Sequence, residues 1–201
     1  MKGWVDFEDE KNALMKAKKI MESLTGEPPF SDKGIIKRFG RRFVVMSTDY
    51  FTAGLMKDIV EFAGDEAAAA ILYRGGYHSG KAIFQRYREL AGNDDMAIDL
   101  CTASAWYFGW GVVTIKVEKR EHELIGHARI YKSFEVASYK NTQKFKGEKK
   151  CHFLRGVTAG IMAEYAGKPY KGEEIICAGE GAPYCEFVLT PLHIEETILP
   201  L

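Results

Sequence analysis

Between residues 110 and 136 the chain changes its period. In WGVVTIKVEKREHELIGHARIYKSFEV apolar and polar residues alternate in two runs, separated by a charged turn at Glu118 to Glu123. The pattern predicts an antiparallel hairpin of long strands. A hairpin with one apolar face must be covered, and the segments around it supply the cover. From Asp49 to Ala91 the spacing is helical twice over, DYFTAGLMKDIVEFAG breaking at Gly64 and DEAAAAILYRGGYHSGKAIFQRYREL restarting at an acidic N-terminus. A third helix is expected from Asp94 to about Trp106. After the hairpin, CHFLRGVTAGIMAEYAG carries a helical face of Phe153, Leu154, Val157, Ile161, Met162 and Tyr165, and its small residues Gly156, Ala159 and Gly160 predict close approach to a sheet. Two further strands, around EEIICAG and YCEFVLT, end the pattern. Helices bunched before and between hairpins predict an α+β fold, with helices packed on one face of an antiparallel sheet.

The N-terminal segment reads separately. Acids at Asp6, Glu8, Asp9 and Glu10 precede a stripe of Leu14, Ala17, Ile20, Met21 and Leu24, the arrangement that suits a helix dipole. EPPF stops that helix, and residues 27–40 read as a linker before the β-branched run RRFVVMST. Residues 1–40 are therefore expected to form an N-terminal helix and linker, and residues 41–201 one domain.

Composition removes several function classes. The 201 residues hold 28 Lys plus Arg against 28 Asp plus Glu, which gives no reason to expect nucleic acid. The lysines between 140 and 150 are interleaved with aromatic character only at Phe145 and read as a solvated loop. No apolar run approaches the ~20 residues that cross a bilayer, and the acidic start is unlike a secretory signal, so a cytoplasmic protein without a membrane partner is expected. GGYHSGKA resembles a phosphate-binding loop only in part: Ala82 stands where Ser or Thr would hold magnesium, and a helix former precedes it rather than a strand. Gly75, Gly76 and Gly80 are better read as a small-residue face for close helix packing.

The four cysteines are too few for a disulfide scaffold. Cys101 falls in the apolar pattern of a helix and reads as core. Cys151, Glu174, Cys177 and Cys185 have the spacing C-x22-E-x2-C-x7-C, in which three thiolates and a carboxylate could complete a tetrahedral zinc shell. A turn rich in Gly179, Gly181 and Pro183 would bring Cys177 and Cys185 together. Spacing alone leaves this open against three buried core cysteines. An iron–sulfur cluster would ordinarily take four cysteines. Glu173 and Glu174, adjacent on a strand, should face opposite ways, one a ligand and one a solvated charge.

The stretch CHFLRGVTAGIMAEYAGKPYKGEEIICAGEGAPYCEFVL resembles the C-terminal half of the 4-vinyl reductase domain family, the predicted hydrocarbon-binding domains. Upstream, LYRGGYHSGKAIF, the GWG opening the hairpin, and IYKSFEV extend the resemblance over roughly residues 41 to 190, and the chain looks like a stand-alone prokaryotic member. What the resemblance implies is a fold similar to the ligand-binding domain of NO signalling and Golgi transport proteins, and to the sensing domains of aromatic-responsive regulators. It further implies that Cys151, Glu174, Cys177 and Cys185 hold a structural zinc, that the chain is a homodimer, and that an apolar cavity takes a small hydrophobic molecule. Trp106, Trp110, Tyr131 and Phe134 are the candidate ligand-binding residues, within a wider aromatic set that includes Tyr107 and Phe108 and with His127 as a candidate polar anchor. No serine–histidine–acid or cysteine–histidine arrangement has support, and no dinucleotide fingerprint is present. The leading expectation is a sensor or carrier; the alternatives are an accessory to tetrapyrrole vinyl reduction, or a dimeric scaffold without ligand.

Overall fold

A computed structural model describes residues 7–24, 36–39, 41–44, 47–48, 54, 57–120, 122–140 and 151–193. The lysine-rich stretch 141–150 and most of 49–56 lie outside them. The elements run α1 (Glu10–Leu24), β1 (Ile36–Arg38), β2 (Arg41–Phe43), α2 (Lys57–Ala91), α3 (Asp94–Tyr107), β3 (Val112–Arg120), β4 (Glu123–Tyr131), α4 (Phe134–Lys140), α5 (His152–Ala166), β5 (Tyr170–Ile176) and β6 (Cys185–Pro191).

β3 and β4 form the expected hairpin, paired from Val112 against Tyr131 to Arg120 against Glu123. The sheet order is β3-β4-β6-β5, antiparallel throughout. One face of it meets α5, through Ala128, Ile130, Phe187 and Leu189 against Leu154, Ala159 and Met162, all buried. The fold is α+β, with its helices layered on that face. The opposite face is polar: Arg129 makes two hydrogen bonds to Glu186, at 2.8 and 3.1 Å, and lies between the rings of Phe7 and Tyr184, each 4.1 Å away.

α2 is interrupted at Gly64, where φ is 83° and ψ 165°, a backbone region that glycine alone tolerates readily. α3 starts where the acids predicted, with the Asn93 side chain accepting from the Met96 amide at 2.8 Å. α1 packs on the body of the same chain, burying Ala13, Ala17 and Met21, with Ala17 and Met21 in one cluster with Ala103 of α3.

Two expectations change. Gly156 and Gly160 do not serve the sheet: a Cβ at either would overlap the Tyr73 or Tyr77 carbonyl oxygen of α2. Reciprocally, a Cβ at Gly76 or Gly80 would overlap the Phe153 or Val157 carbonyl oxygen of α5. The two helices thus press backbone to backbone through paired Gly-x3-Gly faces. The close approach to the sheet comes instead at Gly126 of β4, where the Met162 side chain occupies the Cβ position. Secondly, Phe134, Glu135 and Val136, read as the end of a strand, open α4, and a two-stranded hairpin, β1–β2, begins within the segment read as linker.

Candidate metal centre and ligand cavity

Cys151, Glu174, Cys177 and Cys185 converge at the junction of α5, β5 and β6, their candidate ligand atoms all within 4.8 Å of one another. Cys151 is the residue before α5, Cys177 follows β5 and Cys185 opens β6. All four are buried. A β-bulge makes the convergence possible: Glu174 pairs with Phe187 but Ile176 with Glu186, so Ile175 is an extra residue. Strict alternation would place Glu174 and Cys177 on opposite faces; the inserted residue restores Cys177 to the side of Glu174 while Ile175 turns outward, 41% exposed.

The donor set fits a cation. Glu174 Oε1 is buried with no hydrogen-bond partner, a costly arrangement for a carboxylate unless an ion faces it. The Cys151 and Cys185 sulfurs are 3.4 Å apart, near the edge of about 3.8 Å expected for a tetrahedron with ~2.3 Å Zn–S arms. Backbone amides point at the sulfurs, Gly179 N–H to Cys177 Sγ at 3.3 Å and Ala178 N–H to Cys185 Sγ at 3.4 Å, which stabilises thiolate charge. Burial, reinforced by Cys177, pushes the Glu174 carboxyl up to about 8, and hydrogen bonds from Cys177 and Cys185 together with burial raise the Cys151 thiol. Such a crowd of acids resists ionising together unless a cation compensates.

Beside this cluster lies Glu135 of α4, 2% exposed. Its carboxylate accepts from the Phe153 and Leu154 amides at 2.9 and 3.0 Å, capping the N-terminus of α5 from another element. Burial lifts it to about 7 against the pull of those two hydrogen bonds.

A second feature lies between α2, α3, α5, the sheet and the β1–β2 hairpin: a largely apolar cavity of about 100 Å³. Its walls include Phe39, Phe43, Ile83, Phe108, Trp110, Ile115, Ile130 and Ile161. Tyr87 and Ser104, buried and hydrogen-bonded to each other, add hydroxyls to the wall, and burial pushes Tyr87 up to about 12. Arg38, Arg41 and Arg86 line the end formed by β1, β2 and α2.

The family model for the 4-vinyl reductase domain matches residues 127–191. Residues 127–191 are thus similar to 4-vinyl reductase domains. A second model, described as activator of aromatic catabolism, matches residues 29–123, so the cavity draws its walls from both matched segments. The fold is similar to that of the phenol-responsive sensory domain of the transcription activator PoxR, solved with phenol: 22% identity and a TM-score of 0.74 over 88% of this chain and 89% of that one. Weaker likenesses are to a trafficking protein particle complex subunit 3 from Naegleria fowleri, covalently bound to palmitic acid (12% identity, TM-score 0.49, 72% and 93% covered), and to a vinyl-4-reductase family protein from Methanocaldococcus jannaschii (14%, 0.46, 95% and 100%). No curated protein matches the chain significantly.

Of the residues expected to form sites, the four metal candidates come together and the four ligand candidates do not. Trp110 lines the cavity, as does Phe108. Phe134 stands behind Trp110, ring centroids 6.1 Å apart. Tyr131 is on the other face of the sheet, edge-on to Tyr184 at 5.6 Å, because on β4 the even-numbered Ile130 points inward. Trp106 packs with the α1 cluster, since α3 turns Cys101, Ser104, Ala105 and Phe108 to the cavity instead. His127 likewise faces outward, 3.6 Å from Glu118. Tyr87, the three arginines and Glu135 escaped sequence reasoning; for Tyr87 the i, i+4 spacing from Ile83 on α2 was the available signal.

Proposed function

We propose that the chain is a small-molecule-binding domain, a sensor or carrier whose ligand has a small apolar or aromatic body. The observation that carries this reading is the apolar cavity beside Trp110 with its Tyr87–Ser104 hydroxyl pair. Its volume is on the scale of the ~150 Å³ apolar voids that hold benzene in other proteins. The description of the model matching residues 29–123 and the phenol held by the PoxR domain support an aromatic body. Apolar burial at ~25 cal/mol per Å² would supply the affinity, and the hydroxyl pair would orient the ligand.

Zinc is the ion proposed for Cys151, Glu174, Cys177 and Cys185. Four protein ligands leave no open position, so its part is structural, fastening α5 to the β5–β6 hairpin. None of the described helices is long and apolar enough to cross a membrane. A reducing cytoplasm, which keeps thiolates available to a metal, is the compartment proposed, and a homodimer is the proposed assembly. Thermal melting of the full chain with phenol, toluene and linear alkanes as additives tests the reading. A ligand at a hundredfold its Kd should add about 2.7 kcal/mol of stability. No rise with any of them would remove the proposal.

A further inference from the structure

Resting on the cavity reading above, we infer that the ligand carries an anionic group, a carboxylate, on its small apolar body. Among the described residues the cavity is lined by three arginines and by no carboxylate, lysine or histidine. The three come from two directions, Arg38 and Arg41 from the β1–β2 hairpin and Arg86 from α2.

Their placement suits recognition of an anion. Arg86 is held in position by two bonds, Nε donating to the Phe39 carbonyl oxygen at 2.9 Å and Nη1 to Glu89 at 2.9 Å. Arg41 makes no ion pair among the described residues, and its positive field reaches the Tyr87 hydroxyl in the cavity wall. Guanidinium groups keep their charge at any ordinary pH, so positive potential is a fixed property of this end of the cavity. A neutral hydrocarbon filling the cavity leaves that potential unanswered. A carboxylate at the arginine end would form charge-assisted, bidentate hydrogen bonds, while its ring or chain occupies the space against Trp110, Ile115 and Ile161. An aromatic acid and a short fatty acid share this chemistry.

Calorimetric titration of the full chain with benzoate, its neutral isostere benzamide, hexanoate and toluene tests the inference. At least one carboxylate should bind about tenfold or more tightly than benzamide, and the tighter of benzoate and hexanoate names the body. Arg41→Gln, a change at an exposed side chain, should bring the preference to within about threefold. Toluene binding with no carboxylate preference, or a preference intact in both Arg41→Gln and Arg86→Gln, would overturn the inference and leave the cavity reading standing. Binding of none of the four would overturn both.

Discussion

Cys177 and Glu174 are three positions apart on an antiparallel strand, and they share a site only because Ile175 bulges out between them. Removing one thiolate would leave three buried donors around an incomplete shell. Cys177→Ser should therefore lose the metal, about one zinc per chain by elemental analysis in the wild type, and melt at a lower temperature; metal-free protein with unchanged melting would refute the site. A second residue reports on the sheet's outer face. Burial holds His127 below its ordinary 6.5, with Glu118 opposing and Arg120 assisting. The folded state consequently binds fewer protons than the unfolded chain once the pH drops below about 6.5, and stability present above that pH is lost as it falls. Between about pH 7.5 and 5.5, wild-type melting should drop more than that of His127→Gln; equal drops would contradict the assignment. The four candidate ligands were legible in the sequence through their spacing taken together with the resemblance to the 4-vinyl reductase domain family. The bulge was not, since an exposed Ile175 in a β-branched run reads as an ordinary strand residue.

The contact between α2 and α5 depends on what its residues lack. Gly76, Gly80, Gly156 and Gly160 each face a carbonyl oxygen of the opposing helix at the position a Cβ would take, so Gly156→Ala must push the helices apart, costing about 1–3 kcal/mol. Gly75, one residue from Gly76, has open space at its Cβ position, and Gly75→Ala should stabilise by about 0.5–1 kcal/mol through helix propensity. Chemical denaturation of both variants checks the pair; destabilisation of equal size would place the contact elsewhere. That these glycines pack closely was readable from their spacing. Their partner was not, because a Gly-x3-Gly face accepts a helix or a sheet equally well, and only the matching face on the other helix decides. Helix α4 went unread for a related reason: FEVASYK is too short to display a helical period, and it continues an alternating run. What holds it in place is long-range, the buried Glu135 carboxylate capping α5.

At the scale of the whole molecule, metal cluster and cavity lie on different parts of α5. Cys151 precedes its first turn, while Leu154, Val157, Thr158 and Ile161 line the cavity along its length. An ion fixing that N-terminus would hold one cavity wall in register with the sheet. The layered α+β fold followed from sequence periodicity, but the cavity walls did not: one wrong parity on β4 exchanges Tyr131 for Ile130, and one wrong helical phase exchanges Trp106 for Ala105. Ala105 lies on the cavity wall, and Ala105→Leu would fill space without adding a polar group. The most direct measurement is a calorimetric titration of toluene into the wild type and into Ala105→Leu at several temperatures. The cavity account predicts saturable one-to-one binding with a negative heat-capacity change in the wild type, and loss of that binding in the variant. No binding to the wild type, or equal binding to both, would contradict it.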